Sequence, residues 1–213
     1  MKNQSISKYS QSEERLNVLT HALGLILSVI AFPFLVFKTL ESDYGFPSIT
    51  YTVFGLSMII LYAASAFYHS AKDPKKRKQL NIFDHAAIYI LIAGTYSPFT
   101  LIVLRGTLGW VLFSTTWVIA IAGIIFKIYF TGRFDKLSTI SYVLMGWQIV
   151  FAINPLREQL SPDGLFYLFL GGVFYTIGAV LYSINRLSYN HTIFHVFVLL
   201  GTASHFVSIF FYV

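Results

Sequence analysis

The chain has 213 residues, is 56% hydrophobic and only 11% charged, and carries a formal net charge of +6 with no cysteine. Soluble domains carry about 25% charged residues, so this composition excludes an ordinary soluble enzyme and indicates an integral membrane protein. The lack of cysteine excludes a disulfide framework and a thiolate metal site, and the positive charge reads as loops facing anionic lipid rather than as a nucleic-acid surface.

In chain order, residues 1–15 form a short polar segment of mixed charge, and residues 16–213 read as one seven-helix transmembrane domain. A span needs roughly 20 apolar residues. Seven such runs are expected, at 18–37, 48–69, 83–103, 109–130, 137–153, 164–184 and 191–213, the fifth being the shortest. No small-residue cleavage site follows the first run, so it is read as an uncleaved helix. The breaks between runs hold Asp43, Gly45 and Pro47, then the basic stretch from Lys72 to Lys78, then Arg105 and Gly106. Arg133 to Lys136, Asn154 to Asp163 and Asn185 to Asn190 supply the rest. Pro33 and Pro98 fall inside runs and should bend them. No internal repeat is visible.

Seven spans put the termini on opposite sides. All the Lys and Arg residues except Lys38, Arg105 and Arg157 then fall on the side of the N-terminus. Cytoplasmic loops are enriched in Lys and Arg, so the N-terminus is expected in the cytoplasm and Val213 outside.

This topology gathers the ionisable residues of the spans at one end. Ser65 and His69 close the second run, Asp84 and His85 open the third, His191 and His195 open the seventh, and His21 lies near the start of the first. His205 is ten residues beyond His195, about 15 Å deeper at the rise of a helix. Ionisable residues in a membrane helix are costly and usually have a partner and a job. Residues i and i+4 share a helix face, so His191 and His195 point together, and Ser65 points with His69. His69, His191 and His195 are therefore expected to ligate one zinc ion with an open fourth position, which is the pattern of a catalytic site. Asp84 would position or deprotonate the attacking water, and Ser65 would hydrogen-bond that water or a substrate carbonyl. Plainer alternatives stand beside these roles: an N-cap for Asp84, a helix-contact residue for Ser65, satisfied polar contacts for His85 and His205, and a topology anchor for Lys72–Lys78.

The order of these motifs resembles the hemolysin III family, the bacterial branch of the progestin and adipoQ receptor superfamily. The resemblance covers nearly the whole chain. It rests on the stretch from Glu13 to Gly24, on Ser65-Ala66-Phe67-Tyr68-His69, and on Asp84-His85 with Gly94-Thr95-Tyr96-Ser97-Pro98. It ends with His191-Thr192-Ile193-Phe194-His195 and Gly201 to Phe206. It implies a bacterial plasma-membrane protein with zinc held by His69, His191 and His195 and with Asp84 and Ser65 beside it. Ceramidase-like relatives imply hydrolysis of a lipid amide such as ceramide. The family name implies cell lysis, by a pore. A zinc-stabilised sensor is the third reading, although receptor members carry long N-terminal regions where this chain has about fifteen residues.

Overall fold

Ser10 starts the first helix. Its hydroxyl accepts the Glu13 N–H at 3.2 Å, and Glu13 and Glu14 occupy the first turn, where negative charge suits the positive end of the helix dipole. The structure, a computed structural model, describes residues 9–213, apart from the side chain of Asp135. Residues 1–8 of the expected polar segment, with Lys2 and Lys8, lie outside the described residues. Helix α1 spans Gln11–Glu41 and continues through Pro33. It is followed by α2 (Ile49–Ser70), α3 (Pro74–Pro98), α4 (Gly106–Phe130), α5 (Asp135–Trp147), α6 (Ile153–Gln159), α7 (Pro162–Tyr182) and α8 (Asn190–Tyr212). A 3₁₀ turn, Gln148–Ala152, joins α5 to α6, and the three together make the fifth span. Among the described residues, seven helical stretches are long and apolar enough to cross a membrane, and there is no strand. The chain is an all-α membrane protein.

Two sequence expectations are corrected here. Asp84 does not open its helix and is not an N-cap. The cap is Asp73, whose carboxylate accepts the Lys76 N–H at 2.7 Å, with Pro74 in the first position. Most of the stretch expected as a loop, from Lys75 to Lys78, is therefore helical. Hydropathy marks where a chain enters hydrocarbon, whereas a helix begins where its orphan N–H groups are capped. Here the two points differ by about two and a half turns. Pro98 does mark a change of backbone: α3 passes into a wider π turn over Phe99–Leu104. Arg105 and Gly106, both at positive φ, then reverse the chain. On α4, Gly109 lies so near the Thr100 carbonyl that a Cβ would stand 2.1 Å from its oxygen.

Helix α3 is the most buried of the seven spans. Helices α1, α2 and α3 pack in sequence, α4 lies against α3, and α7 against α8. Helix α8 returns to α1. Leu23, Ile26, Ile30 and Phe34 of α1 are exposed and form a lipid-facing stripe. At the far end of the bundle, Lys38 donates to the Phe210 carbonyl at 2.6 Å and ties α1 to the end of α8. At the near end, where α1 begins, α2 ends and α8 begins, the histidines meet.

Candidate metal centre

His69 is the penultimate residue of α2, and His191 and His195 occupy the first two turns of α8. Their Nε2 atoms converge. His69 Nε2 is 3.0 Å from His191 Nε2, which is 3.1 Å from His195 Nε2. Among the described residues these three form a group able to hold a metal ion, with one ligand atom from each lying within 4.8 Å of the others. All three are buried. Tetrahedral ligands 2.0–2.1 Å from zinc would lie about 3.3 Å apart, close to the spacing seen.

The opposite ring nitrogens say which way the protons point. His69 Nδ1 is 2.7 Å from a Glu14 carboxylate oxygen. The Asn17 amide nitrogen is 3.5 Å from the same atom, at the limit of a hydrogen bond, so Glu14 is its partner. The Asn17 side-chain oxygen, Oδ1, instead accepts from Thr192 Oγ1 at 2.6 Å. His195 Nδ1 is 3.2 Å from Thr20 Oγ1. That hydroxyl already donates to the Leu16 carbonyl at 2.9 Å, so it accepts the Nδ1 proton of His195. With Nδ1 protonated in both rings, each Nε2 presents a bare lone pair to the same point. Lone pairs crowded this closely repel one another unless a cation lies among them. The donor set therefore fits a metal.

Rings shield the cluster. His21 stacks on His195 with centroids 3.5 Å apart, and Tyr9 stacks on His191 at 4.7 Å. Burial pushes the Tyr9 phenol well above its usual pKa, with Tyr182 beside it adding to the shift, so the hydroxyl stays protonated. Beside the cluster lies a cavity that is partly open to the outside. Its walls are mostly apolar, from residues such as Leu61, Ile88, Leu91 and Val198, and His191, His195 and Asp84 share its lining.

Asp84 lies on α3, buried, with a carboxylate oxygen 3.6 Å from His85 Nδ1. Ser65 is fully buried one turn before His69, and its hydroxyl has no hydrogen-bond partner among the described residues. Ser65 is not among the residues lining the cavity. Of the remaining histidines, two are bonded to the backbone: His85 Nδ1 lies 2.9 Å from the Asn81 carbonyl, and His205 Nε2 lies 3.0 Å from that of Leu168; neither ring nitrogen of His21 has a hydrogen-bond partner among the described residues. Glu14, Thr20 and Arg77 also take part in the site, with no role for them apparent in the sequence alone. Arg77 is buried and pairs with Glu14, although it stands in the run read as a topology anchor.

The profile of a family described as "Haemolysin-III related" matches residues 9–206, a stretch that begins with Tyr9 and includes all three histidines. Hemolysin-3 of Bacillus cereus is 47% identical over 201 residues, covering 94% of this chain and 92% of that protein. A Hemolysin-3 homolog of Bacillus subtilis is 42% identical over 204 residues, covering 96% of each. The human monocyte to macrophage differentiation factor is 26% identical over 203 residues, covering 92% of this chain and 83% of that protein. Seven apolar helices, a buried cluster of three histidines and these matches together identify the chain as a multipass bacterial membrane protein that belongs to the Haemolysin-III related family.

Proposed function

We propose that the chain is a zinc-dependent intramembrane hydrolase acting on a lipid amide or ester, with His69, His191 and His195 holding the metal. The observation that carries this reading is the convergence of three imidazole Nε2 atoms, with His191 and His195 lining a mostly apolar cavity that Asp84 also lines. Zinc bound there would supply Lewis acidity and make water ionisable near neutral pH. Asp84 orients the attacking water and takes its proton. The Ser65 hydroxyl, buried one turn before His69 and without a partner among the described residues, would hydrogen-bond the attacking water. The apolar walls bind the acyl chain and keep bulk water from the scissile bond. In this reading the site end of the bundle faces the cytoplasm, which the basic loops there support.

The test pairs chemistry with leakage. Purified protein, zinc-loaded and zinc-stripped, is incubated with vesicles containing ceramide, other N-acyl lipids and acyl esters, while fatty-acid release and dye efflux are followed. Hydrolysis that requires zinc and disappears in Asp84→Asn is the expected result. Dye efflux that persists without zinc, with no lipid cleaved, would instead support a cytolytic pore. Zinc that raises thermal stability with neither cleavage nor efflux would support a structural metal in a sensor.

A further inference from the structure

Glu14 on α1, His69 on α2 and Arg77 on α3 form a linked series across three helices. One carboxylate oxygen of Glu14 lies 2.7 Å from His69 Nδ1, and the other pairs with the Arg77 guanidinium. The side chains are nearly sealed from solvent, at 0% exposure for His69, 12% for Glu14 and 9% for Arg77. We infer that Glu14, clamped by Arg77, is a positioning residue for the metal: its carboxylate keeps the His69 proton on Nδ1 and turns Nε2 toward His191 and His195. This inference rests on the metal reading above.

The physical reasons are local. A free imidazole can carry its proton on either nitrogen and rotate about two bonds. A carboxylate on Nδ1 selects one tautomer and one ring orientation, and it makes the ligating nitrogen a better donor. Glu14 could not do this alone, because a buried carboxylate without a cation is costly. Arg77 meets that need and is itself held: it donates to the Ala71 carbonyl at 3.3 Å and lies over the Tyr68 ring at 4.7 Å. Both contacts are to the end of α2 that carries His69. The neighbouring Lys72, Lys75, Lys76 and Lys78 are exposed, as topology anchors should be. Arg77 alone in that run is buried.

Two explanations of Arg77 predict opposite signs. If it acted only as a charge, removing it would tighten cation binding by relieving repulsion. If it acts through Glu14, removing it weakens binding. The experiment measures zinc affinity by competition with a chelator for the full-length protein in detergent, with the metal-free unfolding temperature as the folding reference. Glu14→Gln is expected to bind zinc 10- to 100-fold more weakly, the loss typical of such a partner. Arg77→Gln should also weaken binding, Lys78→Gln should leave it unchanged, and the double variant should lose no more than Glu14→Gln. If Glu14→Gln fails to fold, Glu14→Asp, which withdraws the carboxylate by one methylene, should still bind at least several-fold more weakly. Wild-type affinity in the folded Glu14 variant, or tighter binding in Arg77→Gln, would overturn the inference. A wild-type protein that binds no zinc would defeat the metal reading itself, and is seen before any variant is compared.

Discussion

At the scale of single residues, the site divides into groups that would hold the metal and groups that would work beside it. Those classes separate experimentally. His191→Ala removes the Nε2 that lies within 3.1 Å of both other ligand atoms, so zinc content should fall from about one per chain to near zero. Asp84→Asn should keep its zinc and lose about 10²- to 10⁴-fold in turnover, the usual weight of a general base; equal loss of metal and activity would mean that Asp84 is a ligand instead. Thr20→Val removes the hydroxyl partner of His195 Nδ1 and leaves the bond of His195 to the Asn17 backbone. It should weaken zinc about tenfold in the same chelator competition. The three histidines were legible in the sequence because ionisable residues in apolar runs are rare and i, i+4 spacing is a strong geometric statement. Glu14 and Arg77 were not. Each sits among other charged residues, in a polar leader and a basic run, and nothing in local sequence separates a buried charge from its exposed neighbours. Only the approach of α1 and α3 to the end of α2 does so.

At the scale of elements, spans two, four, six and seven fall close to their apolar runs because the bilayer sets both hydropathy and length, whereas α1, Gln11–Glu41, extends beyond the 18–37 run at both ends. Helix α3 begins well before its apolar run, since its first turns are polar and carry the Asp73-Pro74 start signal ahead of the hydrocarbon. The fifth span is harder to read for a related reason. Its α-helical pattern breaks at the 3₁₀ turn, where Ile149 N–H donates to Tyr96 Oη at 2.8 Å and Gln148 reaches Thr116 Oγ1 at 2.8 Å. Those tertiary bonds compensate for a local irregularity that no periodicity announces. The α7–α8 pair depends on small residues. A Cβ on Gly171 would stand 2.2 Å from the His205 ring, which is itself held by the Leu168 carbonyl. Gly171→Ala should therefore destabilise the folded protein by about 1–3 kcal/mol, seen as a lower thermal midpoint in detergent. An unchanged midpoint would show that α7 and α8 can separate freely at this level.

For the whole molecule, the bundle brings the end of α2 and the start of α8, which are far apart in the chain, to one layer, with α1 alongside. The charge distribution predicts that this layer faces the cytoplasm. Because the chain has no cysteine, single-cysteine variants report sidedness directly. Arg133→Cys should react with a membrane-impermeant maleimide only after permeabilisation, and Asp43→Cys should react in intact cells. The reverse pattern would invert the bundle without altering its packing.

The claim on which the chemistry depends is that His69, His191 and His195 enclose one metal ion. X-ray absorption at the zinc edge, on protein purified without added metal, tests it most directly. The expected result is about one zinc per chain with a shell of imidazole nitrogens at 2.0–2.1 Å, lost in His191→Ala. Metal-free protein that retains full lipid-hydrolysing activity, or zinc that survives replacement of all three histidines, would contradict it.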